Sequence, residues 1–339
     1  MSDLQIIWFL LIGVLLVGYA ILDGFDLGVG VLHLFIARSD HDRRVLINSI
    51  GPVWDGNEVW LLTGGGAIFA AFPKVYATVF SGFYLALMLL LACLVLRAVS
   101  LEFRSKQQSP RWRSAWDIAF AVGSIGPALL FGVAIGNVLR GVPISADGEF
   151  AGSFLGLLNP FALCVGLLSL TMFVMQGSAW LMMKTSDGLR ARATAVAKVS
   201  WIAFVALWIV VTAFSKVAAP HLWNNYENAL TWIAPVLFVL ATVAFLLAVR
   251  GGMAGSAFAA SSISIATLIL IMGQGLFPYM VPSFGNLANS LTISNASSTP
   301  LTLKTMLAIA LIGMPFVVGY TIYIYRHFTS NVVIDEHSY

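Results

Sequence analysis

The sequence predicts an all-α, polytopic membrane protein of about nine transmembrane helices arranged in helical bundles, and three observations carry that prediction. Hydrophobic residues make up 59% of the 339 and charged residues only 10%, against roughly 25% charged in a soluble domain. Mean hydropathy is +0.91. Apolar runs long enough to cross a hydrocarbon core of about 30 Å, at ~1.5 Å per residue, recur along the whole chain. Basic residues gather in alternate connections between these runs, the asymmetry of the positive-inside rule.

The first run spans Gln5 to Ile36. It is too long for a removable signal peptide, has no basic start and carries two carboxylates, so it is expected to remain as a span. The second, Ser49 to Phe72, holds two more carboxylates, and the third, Val75 to Leu96, contains Cys93. A basic connection over 97–113 leads to the fourth, Ser114 to Leu139, and the 140–158 connection to the fifth, Asn159 to Met183, with Cys164 and Gln176. Val199 to Phe214, Ala229 to Val249 and Ser256 to Tyr279 follow, the last with Gln274, and after the 280–302 connection Leu303 to Tyr325 closes the set. No connection is long enough for a folded module of ordinary size, so residues 1–339 read as one integral membrane domain.

Fourteen of the 18 basic residues fall in the odd-numbered connections and the C-terminal tail: Arg38, Arg43, Arg44, Arg97, Arg104, Lys106, Arg111, Arg113, Lys184, Arg190, Arg192, Lys198, Arg250 and Arg326. The even ones hold Lys74, Arg140, Lys216 and Lys304. This places the odd connections and the C-terminus in the cytoplasm and the N-terminus outside. A formal net charge of +3, with its basic residues at helix ends, gives no support to nucleic-acid binding. The two cysteines lie within spans, where they read as small packing residues.

Four carboxylates inside apolar helices are the chemistry-bearing feature. Asp23 and Asp26 lie in YAILDGFDLGVG, Asp55 and Glu58 in GPVWDGNEVWLLTGGG. A charged Asp near the centre of an inserted helix costs on the order of 2.5–3.5 kcal/mol, so such groups need partners, protons or water. Spacing of three puts each pair on one helix face. Like charges that close in a dry setting cannot all stay ionised, and a shared proton is what a relay uses. Asp55 is expected one to two turns in from the cytoplasmic end, with Asp26 deeper. The competing structural reading pairs Asp55 or Asp26 with Arg43, Arg44 or another loop arginine, as a helix staple.

Glycines 24, 28, 30, 56, 64, 65 and 66 are expected to let helices approach closely. Trp54 and Trp60 suit an interfacial belt as well as a cofactor contact. Among His33, His41, His221, His327 and His337 only His33 falls in a span. A lone histidine there reads as hydrogen-bonded rather than as a haem ligand, so no metal is expected in this chain. Gly28 and Gly30 lie in a helix with no strand before them, which rejects a nucleotide fingerprint. Gln176 and Gln274 are expected to bond helices together.

The blocks ILDGFDLGVG (21–30), INSIGPVWDGNEVWLLTGGGAIFAAFPKVYATVFSGFY (47–84), LNPF (158–161) and FPYMVPSFGNLANSLTISNASSTPLTL (277–303) resemble subunit II of cytochrome bd-type ubiquinol oxidases, from the first helix to the last. The resemblance implies a haem-free, multi-pass subunit of a bacterial inner-membrane, electrogenic quinol:O2 oxidoreductase. Its partner subunit I would carry haem b and haem d and most of the quinol site, with quinol, lipid and small accessory membrane subunits as further partners. Asp55 matches the family's WDGN carboxylate, associated with the cytoplasmic proton path, and Asp26 and Asp23 match acids of the same motif region. Glu58 stands where many relatives have Gln. The shorter connection after Lys216 looks more like the cyanide-insensitive branch. Two other classes compete: a proton-coupled transporter, which would usually show paired broken helices in two repeats, and a structural membrane partner whose acids transport nothing.

Overall fold

In the computed structural model, which describes residues 1–328, 331, 332 and 334, the chain runs as α1 (Asp3–Ile36), α2 (Asp40–Ile50), α3 (Trp54–Ala71), α4 (Pro73–Gly82), α5 (Tyr84–Phe103), α6 (Pro110–Arg140), α7 (Pro160–Lys184), α8 (Asp187–Ala218), α9 (Ile233–Arg250), α10 (Ala254–Leu276) and α11 (Pro300–His327). Two short antiparallel strands, β1 (Tyr279–Val281) and β2 (Leu291–Thr292), lie between α10 and α11. Local chemistry sets several of the starts. The Asn159 side chain accepts from the Ala162 amide and the Thr299 side chain from the Thr302 amide, each with proline at the next position. Such a cap contributes about 1 kcal/mol, and proline there sacrifices no intrahelical hydrogen bond.

Among the described residues, eight helical segments are long and apolar enough to cross a membrane, so this is a multi-pass membrane protein. The expected span not among them is the second, Ser49 to Phe72, which corresponds to α3, an 18-residue helix packed on α1. Asp55, Asn57, Glu58 and three consecutive glycines interrupt its apolar run.

Two span starts differ most from expectation. The third span begins at Tyr84 rather than Val75, because α4 forms a separate helix tied to the 140–158 connection. Thr78 Oγ1 donates to the Gly148 carbonyl at 2.7 Å, and a Cβ on Gly82 would lie 2.4 Å from the Phe150 ring. The sixth span begins at Asp187 rather than Val199. Its first turns are polar, hence invisible to hydropathy, and are held by Arg192, which donates to the Ile36 carbonyl at 2.8 Å and to Asp42 at 2.6 Å.

Helices α1 and α7 form the centre of the bundle: α1 packs on α3, α6 and α7, while α7 also packs on α8 and α10. Odd-numbered connections meet at one end, through Arg192 with Asp42 and Arg113 with Asp40. Even-numbered ones meet at the other, where the Ser298 amide donates to the Ala71 carbonyl and the Val142 amide to the Pro282 carbonyl. Gly28 and Gly177 make the closest α1–α7 approach; a Cβ on Gly28 would stand 1.9 Å from the Phe173 carbonyl oxygen. Gly28→Ala must therefore push two backbones apart, at a cost of about 1–3 kcal/mol or more. We expect reduced yield of assembled protein from membranes, measured by quantitative blotting; unchanged yield would show that the bundle relaxes freely there.

Not every glycine packs this way. Added Cβ atoms on Gly56, Gly65 and Gly66 of α3 would meet nothing within 4 Å, and the nearest atom to Gly64 would be 4.0 Å away. This corrects the packing expectation for α3 within the chain. The neighbouring α11 is just as open, with no buried residue in its apolar window.

Candidate functional site

The carboxylates converge where α1, α3, α5 and α11 meet. Asp23 and Asp26, on one face of α1, are both fully buried. Arg97, also fully buried, reaches in from α5: its Nη2 donates to Asp23 Oδ1 at 2.7 Å and stands 3.5 Å from Glu58 Oε2. Asp26 Oδ2 accepts from Asn57 Nδ2 at 2.8 Å, and Asn57 Oδ1 accepts from the Tyr325 hydroxyl at 2.8 Å. Asp55, in the first turn of α3, is exposed and has no hydrogen-bond or ion-pair partner among the described residues.

The four acids therefore grade from outside to inside: Asp55 exposed, the Glu58 side chain 22% exposed, Asp23 and Asp26 wholly enclosed. Three inner carboxylates face one guanidinium. Within that cluster Asp26 Oδ1 and Arg97 Nε and Nη1 have no partner among the described residues, and the Tyr19 hydroxyl lies beside Asp23. Buried polar atoms without partners cost on the order of 1–3 kcal/mol each.

Arg97 corrects the sequence reading twice. Counted there among the connections, it lies inside α5, and it is the arginine that pairs with Asp23, one of the four acids. The expected staples from Arg43 or Arg44 to Asp55 or Asp26 do not form among the described residues. Arg43 instead donates to Asp117 of α6 at 2.7 Å, within a second cluster in which buried Asp117 also takes Arg104 Nε at 2.6 Å and pairs with His33 Nε2 at 2.6 Å. Arg104 and Arg113 continue to Asp40 of α2. This network ties α1, α2, α5 and α6 together and involves none of the four acids.

Arg97, Asn57, Tyr325 and Asp117 are the contributors missed in the sequence. For Arg97 and Asp117 a signal existed, a single charge within an apolar run. Asn57 lies inside the WDGN motif itself. Nothing along the chain marks Tyr325, which is one tyrosine among several on α11.

Other expectations can be placed. His33 is hydrogen-bonded as expected, and His337 lies outside the described residues. Cys93 and Cys164 are free, and Cys93 packs over Gly126. Gln176 bonds helices together, donating to Ser262 Oγ at 3.0 Å and to the Ile21 carbonyl, whereas the side-chain oxygen of Gln274 has no partner. Trp60 lies over Gly18 of α1, and Trp54 packs against the core.

Comparison with known proteins gives a consistent result. A family model described as cytochrome bd terminal oxidase subunit II matches residues 4–328. Cytochrome bd-I ubiquinol oxidase subunit 2 of Escherichia coli K12 is 40% identical, the match covering 98% of this chain and 96% of that protein. Cytochrome bd ubiquinol oxidase subunit 2 of Bacillus subtilis is 36% identical, with 99% of each covered. In fold, the chain superposes on a chain of the bd oxidase from Geobacillus thermodenitrificans with a TM-score of 0.81 over 96% of this chain and 99% of that one, at 18% identity.

Proposed function

This chain belongs to the cytochrome bd terminal oxidase subunit II family, and from that premise we propose that it is the haem-free subunit II of a bacterial inner-membrane quinol:O2 oxidoreductase. Subunit I carries haem b and haem d and oxidises quinol, and this chain supplies part of a proton path from the cytoplasm. The observation that carries the reading is the exposure gradient from Asp55 through Glu58 to Asp23 and Asp26. Its outer end lies among the odd, basic connections, which the positive-inside rule puts in the cytoplasm. Reduction of O2 to water consumes protons, and a series of carboxylates leading inward from water can deliver them.

Haem supplies the O2 chemistry of the complex, and on this reading subunit I holds it. His33 Nε2 is taken by Asp117 and its ring packs edge-on against Phe120. The open faces of α3 and α11 then suit subunit I. Small residues on α3 permit close helix approach. Lipid and small accessory subunits would cover other apolar faces.

Expressed without subunit I, the chain is expected to bind no haem and consume no O2; co-purified with it, absorption spectra should show haem b and haem d. A coloured, active single chain would overturn the reading. The structural reading has the Arg97 pairs in its favour, with Asp23 at 2.7 Å and Glu58 at 3.5 Å. Among the described residues Asp26 and Asp55 have no ion pair with an arginine within 4.0 Å, which favours the proton-path reading for those two.

A further inference from the structure

We propose that Tyr325 is a positioning residue for Asp26, acting through Asn57, and that together they direct the Asp26 proton to Oδ1; this rests on Asp26 being part of the proton path. Asn57 is almost fully buried, and both ends of its amide are occupied. Nδ2 donates to Asp26 Oδ2 at 2.8 Å and to the Leu22 carbonyl at 3.3 Å, while Oδ1 accepts from the Tyr325 hydroxyl at 2.8 Å. All three contacts require the same orientation of the amide. Oδ2 then stays an acceptor, and a proton on Asp26 belongs on Oδ1, the oxygen with no partner among the described residues. A protonated carboxyl has one donor oxygen and one acceptor oxygen, so fixing the acceptor fixes the site of exchange.

The alternative arrangement is well defined. A proton on Oδ2 would require Asn57 to turn over, so that Oδ1 accepts from Asp26 and Nδ2 donates to the Tyr325 oxygen, leaving the Leu22 carbonyl without its donor. The phenol would then accept at Asn57 rather than donate, and its own proton would lose the acceptor it has now. Its ring does not wander. It packs edge-on against Phe25 and Trp180, at 6.3 and 6.0 Å between centroids, and Phe25 stacks on Trp180 at 4.1 Å. Tyr325 thus reaches inward from a helix that is otherwise largely exposed, with its hydroxyl aimed at one amide. The charged and titratable groups around Asp26 are Asp23 on α1, Glu58 on α3, Arg97 on α5 and Tyr325 itself on α11. Of these, Tyr325 is the one that touches Asn57.

The test uses the assembled oxidase, infrared difference spectra and turnover per haem d. Asp26→Asn identifies the carboxylic C=O band. Tyr325→Phe keeps the ring but removes the donor, so the band should shift or split while haem content and the quinol KM stay unchanged and kcat falls severalfold. Asn57→Leu cuts the same link at its other end. It should move the band too, and the double variant should add nothing further, as expected for members of one chain. A band unmoved in Tyr325→Phe, or effects of the two variants that simply add, would overturn the proposal; so would loss of haem from both variants, which would make the contact structural. If instead Asp26→Asn removed no band and turned over at the wild-type rate, the proton-path reading of Asp26 would fail first, and visibly so.

Discussion

Asp55→Asn lowers oxygen consumption per haem d by about 10²-fold, the low end of what removing a proton-transferring group costs, while assembled complex and haem content stay at the wild-type level. The expectation follows from where the side chain stands. Asp55 is exposed at the start of α3 and holds no ion-pair partner among the described residues. Asparagine keeps its size and hydrogen-bonding capacity but cannot give up and regain an acidic proton. A staple would behave differently, with complex, haem and activity falling together. Glu58→Gln is the internal control. Gln can still accept a hydrogen bond from Arg97, so a milder loss is expected. Wild-type turnover per haem in Asp55→Asn would mean that protons enter elsewhere.

Arg97→Met acts on assembly instead. Removing the guanidinium leaves Asp23 fully enclosed without its partner and strips Glu58 of its nearest cation. Breaking a buried pair from one side typically costs about 3–5 kcal/mol, enough to deplete the complex in membranes. Replacing both partners removes the stranded charge, so Arg97→Met with Asp23→Leu should recover much of the assembled protein. Turnover per haem in that double variant then reports whether Asp23 is needed for protons. The measurements are haem content and blotted subunit ratio; equal depletion in the single and double variants would show that Arg97 holds the fold through its packing rather than its charge.

Much of this architecture was legible along the chain because lipid imposes a one-dimensional rule. Each span must satisfy its own backbone hydrogen bonds over about 30 Å, so its length and hydropathy appear as one continuous run. The rule weakens where side chains are satisfied by neighbours. The polar first turns of α8, held by contacts to Ile36 and Asp42, fell outside the expected span. Arg97 passed as a loop residue because its neutralising partners are 74 and 39 positions earlier in the chain.

The same distinction divides the site. Which residues are candidates to carry protons was legible from residue type: Asp23, Asp26, Asp55 and Glu58 are acids in apolar helices, and such acids are costly wherever they insert. Which of them are paired, enclosed or open was decided only when α1, α3, α5 and α11 packed together. That packing gave Asp23 an arginine, gave Asp26 the Asn57 amide with Tyr325 behind it, and left Asp55 at the surface. Burying a charge is a cost that a residue carries by itself, whereas meeting that cost takes partners from other helices, and helical periodicity holds no record of which helices will become neighbours.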